Sequence, residues 1–158
     1  MAALCMLANA SAVHAEDMTF TIRQLTPETA LKLAKATLEA CRADGFQVSV
    51  AVADRAGLVQ VMLRDRFAGP HTIDVSANKA WTAVSFKQDT LSIAKATTSP
   101  ENAGQRHFPR FVAVGGGILV ESAGSLLGGL GVSGAPGGEA DDRCARIGLK
   151  AIQGDLDF

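Results

Sequence analysis

Ser76-Ala77-Asn78-Lys79-Ala80-Trp81-Thr82-Ala83 in the middle of the chain, and the glycine-dense stretch from Gly115-Gly116-Gly117 to Gly134 near its end, decide how this sequence is read. The first continues a long amphipathic helix, with Ala77, Ala80, Trp81 and Val84 at helical spacing on one face. The second is a hairpin: Ile118 to Glu121, a turn at Ser122-Ala123-Gly124-Ser125, then Leu126 to Val132. Upstream, Thr26-Pro27-Glu28 opens a helix. Threonine suits the cap, proline the first turn, and a carboxylate the positive helix end. Leu31, Ala34, Leu38 and Cys41 share one side of it, and Asp44-Gly45 ends it.

Val48 to Ala53 alternates valines with small residues, as a strand does. The turn Asp54-Arg55-Ala56-Gly57 leads to a second strand with Val59, Val61 and Leu63. The small side chains of Ser49, Ala51 and Ala53 predict a close neighbour on one face of that hairpin. After the loop Phe67 to Thr72 and the central helix, residues 89–96 predict a short helix and residues 97–109 an irregular excursion. Val112-Ala113-Val114 is apolar, Ser133 to Gly138 is a loop, and a last helix starts near Glu139 with Ala145, Leu149 and Ile152 inward. The order is helix, hairpin, helix, hairpin, helix. It predicts an α/β (α+β) domain with an antiparallel sheet of about five strands and helices on its faces.

The chain has 158 residues, the size of one domain, with 15 Lys and Arg against 16 Asp and Glu. A net charge of -1 gives no electrostatic footprint for nucleic acid. No apolar run is long enough to span a bilayer. Residues 1–15 read as a signal peptide: an apolar stretch, then Val13-His14-Ala15 ahead of Glu16-Asp17, which places the mature domain at 16–158 in the periplasm or outside the cell. No Lys or Arg precedes the apolar stretch, and the alternative is a short apolar N-terminal arm. Cys41 and Cys144 then remain; an oxidising compartment permits their pairing, and two separate buried thiols are the alternative.

Several patterns mislead. Gly129-Leu130-Gly131-Val132-Ser133-Gly134 satisfies G-x-G-x-x-G, but no βαβ unit surrounds it and no parallel strand follows. It reads instead as a strand approached closely by another backbone. Asp141-Asp142 reads as complementing a helix dipole, as two exposed neighbours and not a catalytic dyad. No nucleophile–base pair is evident. His71 stands between Pro70, which stiffens its loop, and Thr72, a hydroxyl ligand or helix cap. His107 stands between Arg106 and Phe108 with Arg110 nearby, a setting suited to a planar ligand bearing propionates.

Asp44-Gly45 before the valine-rich strand, Asp54-Arg55-Ala56-Gly57, Ala68-Gly69-Pro70-His71-Thr72, Lys79-Ala80-Trp81-Thr82-Ala83, Gly115-Gly116-Gly117-Ile118, and Gly129 to Gly134 ahead of Asp141-Asp142 together resemble the GlcG/HbpS family (DUF336) of haem-binding or haem-degrading-domain proteins. Order and spacing carry the resemblance across nearly all of residues 16–158. One departure is Gly117-Ile118-Leu119, where many members have a glycine pair, an apolar residue and proline. The resemblance implies a profilin-like fold and a large homo-oligomer, typically an octamer. It also implies haem or a related tetrapyrrole as cofactor, with His71 and Thr72 as haem contacts and metal ligands. His107 is added from its own surroundings. A haem binder that promotes oxidative haem degradation or redox sensing is the first reading. A haem-free module contacting a sensor or enzyme partner is the second, and an enzyme acting on a small organic acid through Lys79 or Asp54 the third.

Overall fold

A computed structural model describes residues 19–156; the predicted signal segment lies outside them. The elements are α1 (Pro27–Ala43), β1 (Ser49–Ala53), β2 (Val59–Arg64), α2 (Thr72–Phe86), α3 (Thr90–Ala96), α4 (Pro100–Ala103), β3 (Gly117–Ser122), β4 (Ser125–Ser133), α5 (Gly138–Ala151) and α6 (Gln153–Leu156). The strands form one antiparallel sheet in the order β2-β1-β4-β3. Its four strands replace the expected five or so. Val112 to Val114 lies outside the sheet, and the Val112 N–H donates to Thr82 Oγ1 at 3.0 Å in place of a ladder partner. The excursion after α3 also holds more structure than expected, the single turn α4 followed by a 3-10 turn over Gly104–His107.

Alternation along the strands sorts the two faces. Val50, Val52, Ile118, Val120, Leu130 and Val132 pack on the layer of α1 and α5. The sheet's small residues meet α2 on the other face, with Ser49 Oγ bonded to Thr72 Oγ1 at 2.7 Å. At Gly129 a β-carbon would stand 2.9 Å from the Ala80 carbonyl, and at Gly131 it would collide with the Ser76 carbonyl. The G-x-G-x-x-G match is therefore a bed for helix backbone. The neighbour these small residues require is α2 of the same chain, so they carry no argument about association between copies.

α1 starts as its sequence predicts, with Thr26 Oγ1 accepting from the Thr29 N–H at 3.2 Å. Its buried stripe is Ala30, Leu33, Ala34, Thr37, Leu38 and Cys41, whereas Leu31 is exposed. Cys41 and Cys144 join α1 to α5 as a disulfide with a Cα–Cα distance of 5.2 Å. Arg42 donates from Nε and Nη2 to the Asp65 carboxylate at 2.7 and 2.8 Å, fixing the exit from β2 to α1.

The Arg42 hydrogen bonds hold the Asp65 carboxyl at about 2, below its ordinary 3.8, against the opposing effect of burial. The unfolded chain therefore takes up this proton first. The stabilisation is complete above about pH 4 and is lost as pH falls towards about 2. Urea midpoints across that window should fall more steeply for the wild type than for Asp65→Asn; parallel profiles would count against the ion pair.

Candidate functional site

The first turn of α2 is built by its own sequence. The Thr72 N–H and Oγ1 both donate to the Gly69 carbonyl, at 3.0 and 2.6 Å, which closes the Gly69-Pro70-His71-Thr72 loop into the helix start. Thr72 is buried and also bonded to Ser49, so its hydroxyl is already engaged. His71 is exposed at the N-cap position, and its ring has no hydrogen-bond partner among the described residues.

His71, Val75 and Lys79 lie at i, i+4 and i+8 on α2, one face of the helix. All three line a cavity of about 550 Å³, within the range of roughly 300–1,000 Å³ usual for small-molecule sites. Phe46, Phe67 and Val114 supply further apolar wall, and the 133–138 loop and α5 start close the far side. Phe67 is 81% exposed at this cavity.

Lys79 and Asp141, 1% and 3% exposed, also line it. Lys79 Nζ donates to Asp141 Oδ2 at 2.7 Å and to the Val132 carbonyl at 2.9 Å, and Asp141 Oδ1 accepts from the Ala135 N–H at 2.9 Å. Burial pulls the Lys79 ammonium below its ordinary value and pushes the Asp141 carboxyl above its own; each charge opposes the shift of the other. Gly116, at φ +111°, makes room for the pair, since a β-carbon there would stand 2.6 Å from Asp141 Cβ and 3.1 Å from Lys79 Nζ. Gln47 Oε1 is buried beside the same cavity without a partner.

Of the sequence-derived site residues, His71 and Thr72 share this cavity, and so does Lys79, which the sequence raised only for the organic-acid reading. His107 does not line it; it is exposed at the end of the 3-10 turn. The arginines that flank it hold the excursion in place. Arg106 donates to the Thr97 and Ala94 carbonyls, and Arg110 donates to Asn78 Oδ1 while lying 4.9 Å over the Trp81 ring. Asp54 belongs to the β1–β2 turn, where Oδ1 accepts from the Ala56 and Leu58 N–H groups. The reading of Asp141 and Asp142 as exposed is corrected: both are buried, one on Lys79 and the other accepting from Arg146 Nε at 2.7 Å. The 71, 75, 79 spacing was the available signal that Lys79 shares a helix face with His71. No group of three or more metal-ligating side chains occurs among the described residues, and no helix there is long and apolar enough to cross a membrane.

Residues 25–150 match the family model described as haem degrading protein HbpS-like. The chain belongs to that family. HbpS of Streptomyces reticuli, solved as a doubly substituted variant, is 37% identical, with a TM-score of 0.80 over 93% of this chain and 99% of that one. The ORFY protein of Klebsiella pneumoniae, assigned to DUF336, is 27% identical with a TM-score of 0.83 over 88% and 97%. A PduOC:haem complex is 28% identical with a TM-score of 0.75 over 82% and 95%. No curated protein matches the chain.

Removing one partner of a buried ion pair leaves an uncompensated charge, at a cost of about 3–5 kcal/mol. Lys79→Met should lose stability on that scale in urea unfolding. Lys79→Met/Asp141→Asn should recover most of it, because an amide oxygen still accepts from Ala135. A single variant as mild as the double would show that the pair is not ionised.

Proposed function

We propose that this HbpS-like protein binds haem or a related tetrapyrrole in the α2 cavity, with His71 as the first candidate for an iron ligand. The observation that carries the reading is the unpartnered His71 imidazole in a cavity whose wall also presents Phe46, Phe67, Val75 and Val114. Imidazole suits iron. Phe46, Phe67 and Val75 fit the face of a macrocycle, and the orphaned Gln47 Oε1 is a polar atom that a bound molecule would satisfy. Thr72 is the second candidate ligand; binding through it requires its hydroxyl to be shared with Ser49 and Gly69. Bound haem would supply iron redox chemistry with peroxide, so haem degradation or redox sensing needs no acid–base pair from the chain. The residues orient the ligand and limit its access to water. The PduOC:haem complex among its structural relatives supports the ligand class.

A haemin titration followed in the Soret band should be saturable. His71→Ala/Thr72→Ala should weaken it at least as much as the about tenfold typical of second-shell changes, and His71→Ala alone separates imidazole from hydroxyl ligation. A spectrum that stays that of free haemin would refute the reading.

Export and self-association are part of the proposal. The Cys41–Cys144 disulfide supports an oxidising compartment, and the exposed Phe67, Phe108 and Val114 support burial between copies. Protein recovered from outside the cytoplasm should begin at or within two residues of Glu16. It should also elute as a multimer by size exclusion with light scattering. An intact Met1 start in the cytoplasm would sink the first claim, and a monomer mass at micromolar concentration the second.

A further inference from the structure

The cavity has a second chemical end that the iron ligand does not use. Lys79 stands eight residues beyond His71 on the same helix face, about 12 Å along the axis at 1.5 Å per residue. That separation matches the scale of a tetrapyrrole and its side arms. The Lys79 ammonium has three N–H groups. The structure gives acceptors to two of them, the Val132 carbonyl and Asp141 Oδ2. No third acceptor is present among the described residues, and Lys79 is a buried residue of the cavity wall.

Beside it, the 14-residue α5 begins at Gly138 with Gly137 as N-cap and no side-chain cap. Gly137 and Gly138 both line the cavity. The first-turn N–H groups of such a helix lack intrahelical acceptors and carry the positive end of the dipole. Both Asp141 oxygens are already engaged, Oδ1 by the Ala135 N–H and Oδ2 by Lys79. What this end offers a ligand is hydrogen-bond donors.

We infer that Lys79, assisted by the first turn of α5, receives a carboxylate of the ligand, so that the cavity selects amphiphiles with an apolar body and an acid group. The inference rests on the haem reading of the same cavity for the identity of the natural ligand. It also moves acid recognition away from Arg106 and Arg110.

The test compares haemin with its dimethyl ester on the wild type and on Lys79→Met/Asp141→Asn, the variant that avoids a lone buried charge. A charge-assisted hydrogen bond predicts haemin binding about tenfold or more tighter than the ester. The double variant should lose that preference while still binding the ester. Equal affinities in the wild type, or a preference untouched in the variant, would overturn the inference and leave the haem reading standing. If neither porphyrin binds, the haem reading falls, and octanoate against octanol decides the carboxylate claim. A rise in the wild-type melting temperature with octanoate alone, absent in the variant, upholds it. No rise, or equal rises with both compounds, overturns it.

Discussion

The buried contact between Lys79 and Asp141 is the constraint around which this domain is arranged. The lysine belongs to α2 on one face of the sheet, and the aspartate to α5 in the layer on the other. The pair therefore ties the two helical layers together past the ends of β3 and β4. Two charges at 1% and 3% exposure persist only when each is matched and the leftover hydrogen-bonding capacity is used. The Val132 carbonyl and the Ala135 N–H meet most of that need, which fixes the end of β4 and the loop after it. Gly116 follows from the same demand, since a side chain there would meet both members of the pair and displace one of them.

The disulfide reinforces this arrangement from the other side. Cys144 lies one helical turn after Asp141, and its bond to Cys41 holds that part of α5 against α1. The residues it links are 103 apart in sequence. In the chain-entropy account a loop of that size is worth about 4–5 kcal/mol to the folded state. Much of the chain between them, including both hairpins and α2, is thus enclosed by one covalent link and one ion pair that end on neighbouring turns of the same helix. A cavity wall made of short loops and glycines gains its shape from that closure.

What was legible in the sequence was local. Thr26-Pro27-Glu28 announces a helix start because the cap chemistry sits within three residues, and the β1–β2 hairpin is announced by alternation around Asp54 to Gly57. The loop at His71 and Thr72 was legible for the same reason. The ion pair was not, because its members are 62 positions apart and two adjacent aspartates at a helix start have a sufficient local explanation in the dipole. Leu31 was misplaced because the buried stripe runs through Leu33 and Leu38, and the small residues between them, Ala30, Ala34 and Thr37, leave its phase weakly marked. His107 attracted notice by its cationic and aromatic neighbours, yet those neighbours have local work: Arg106 donates to the Ala94 carbonyl of α3 and to the Thr97 carbonyl after it, and Arg110 lies over Trp81.

The two requirements meet at α2. Its inward face must be small enough to lie on Gly129 and Gly131, which leaves little apolar area for a ligand there. Its cavity face has the same spacing in a different phase, with His71, Val75 and Lys79 one turn apart. The cavity wall thus occupies the start of a helix whose other side is already committed to the sheet. Such a helix cannot shift to suit a ligand without lifting backbone off backbone. Of that wall, Phe67 is left exposed, whereas the loop after β4 is held by the Ala135 N–H on Asp141.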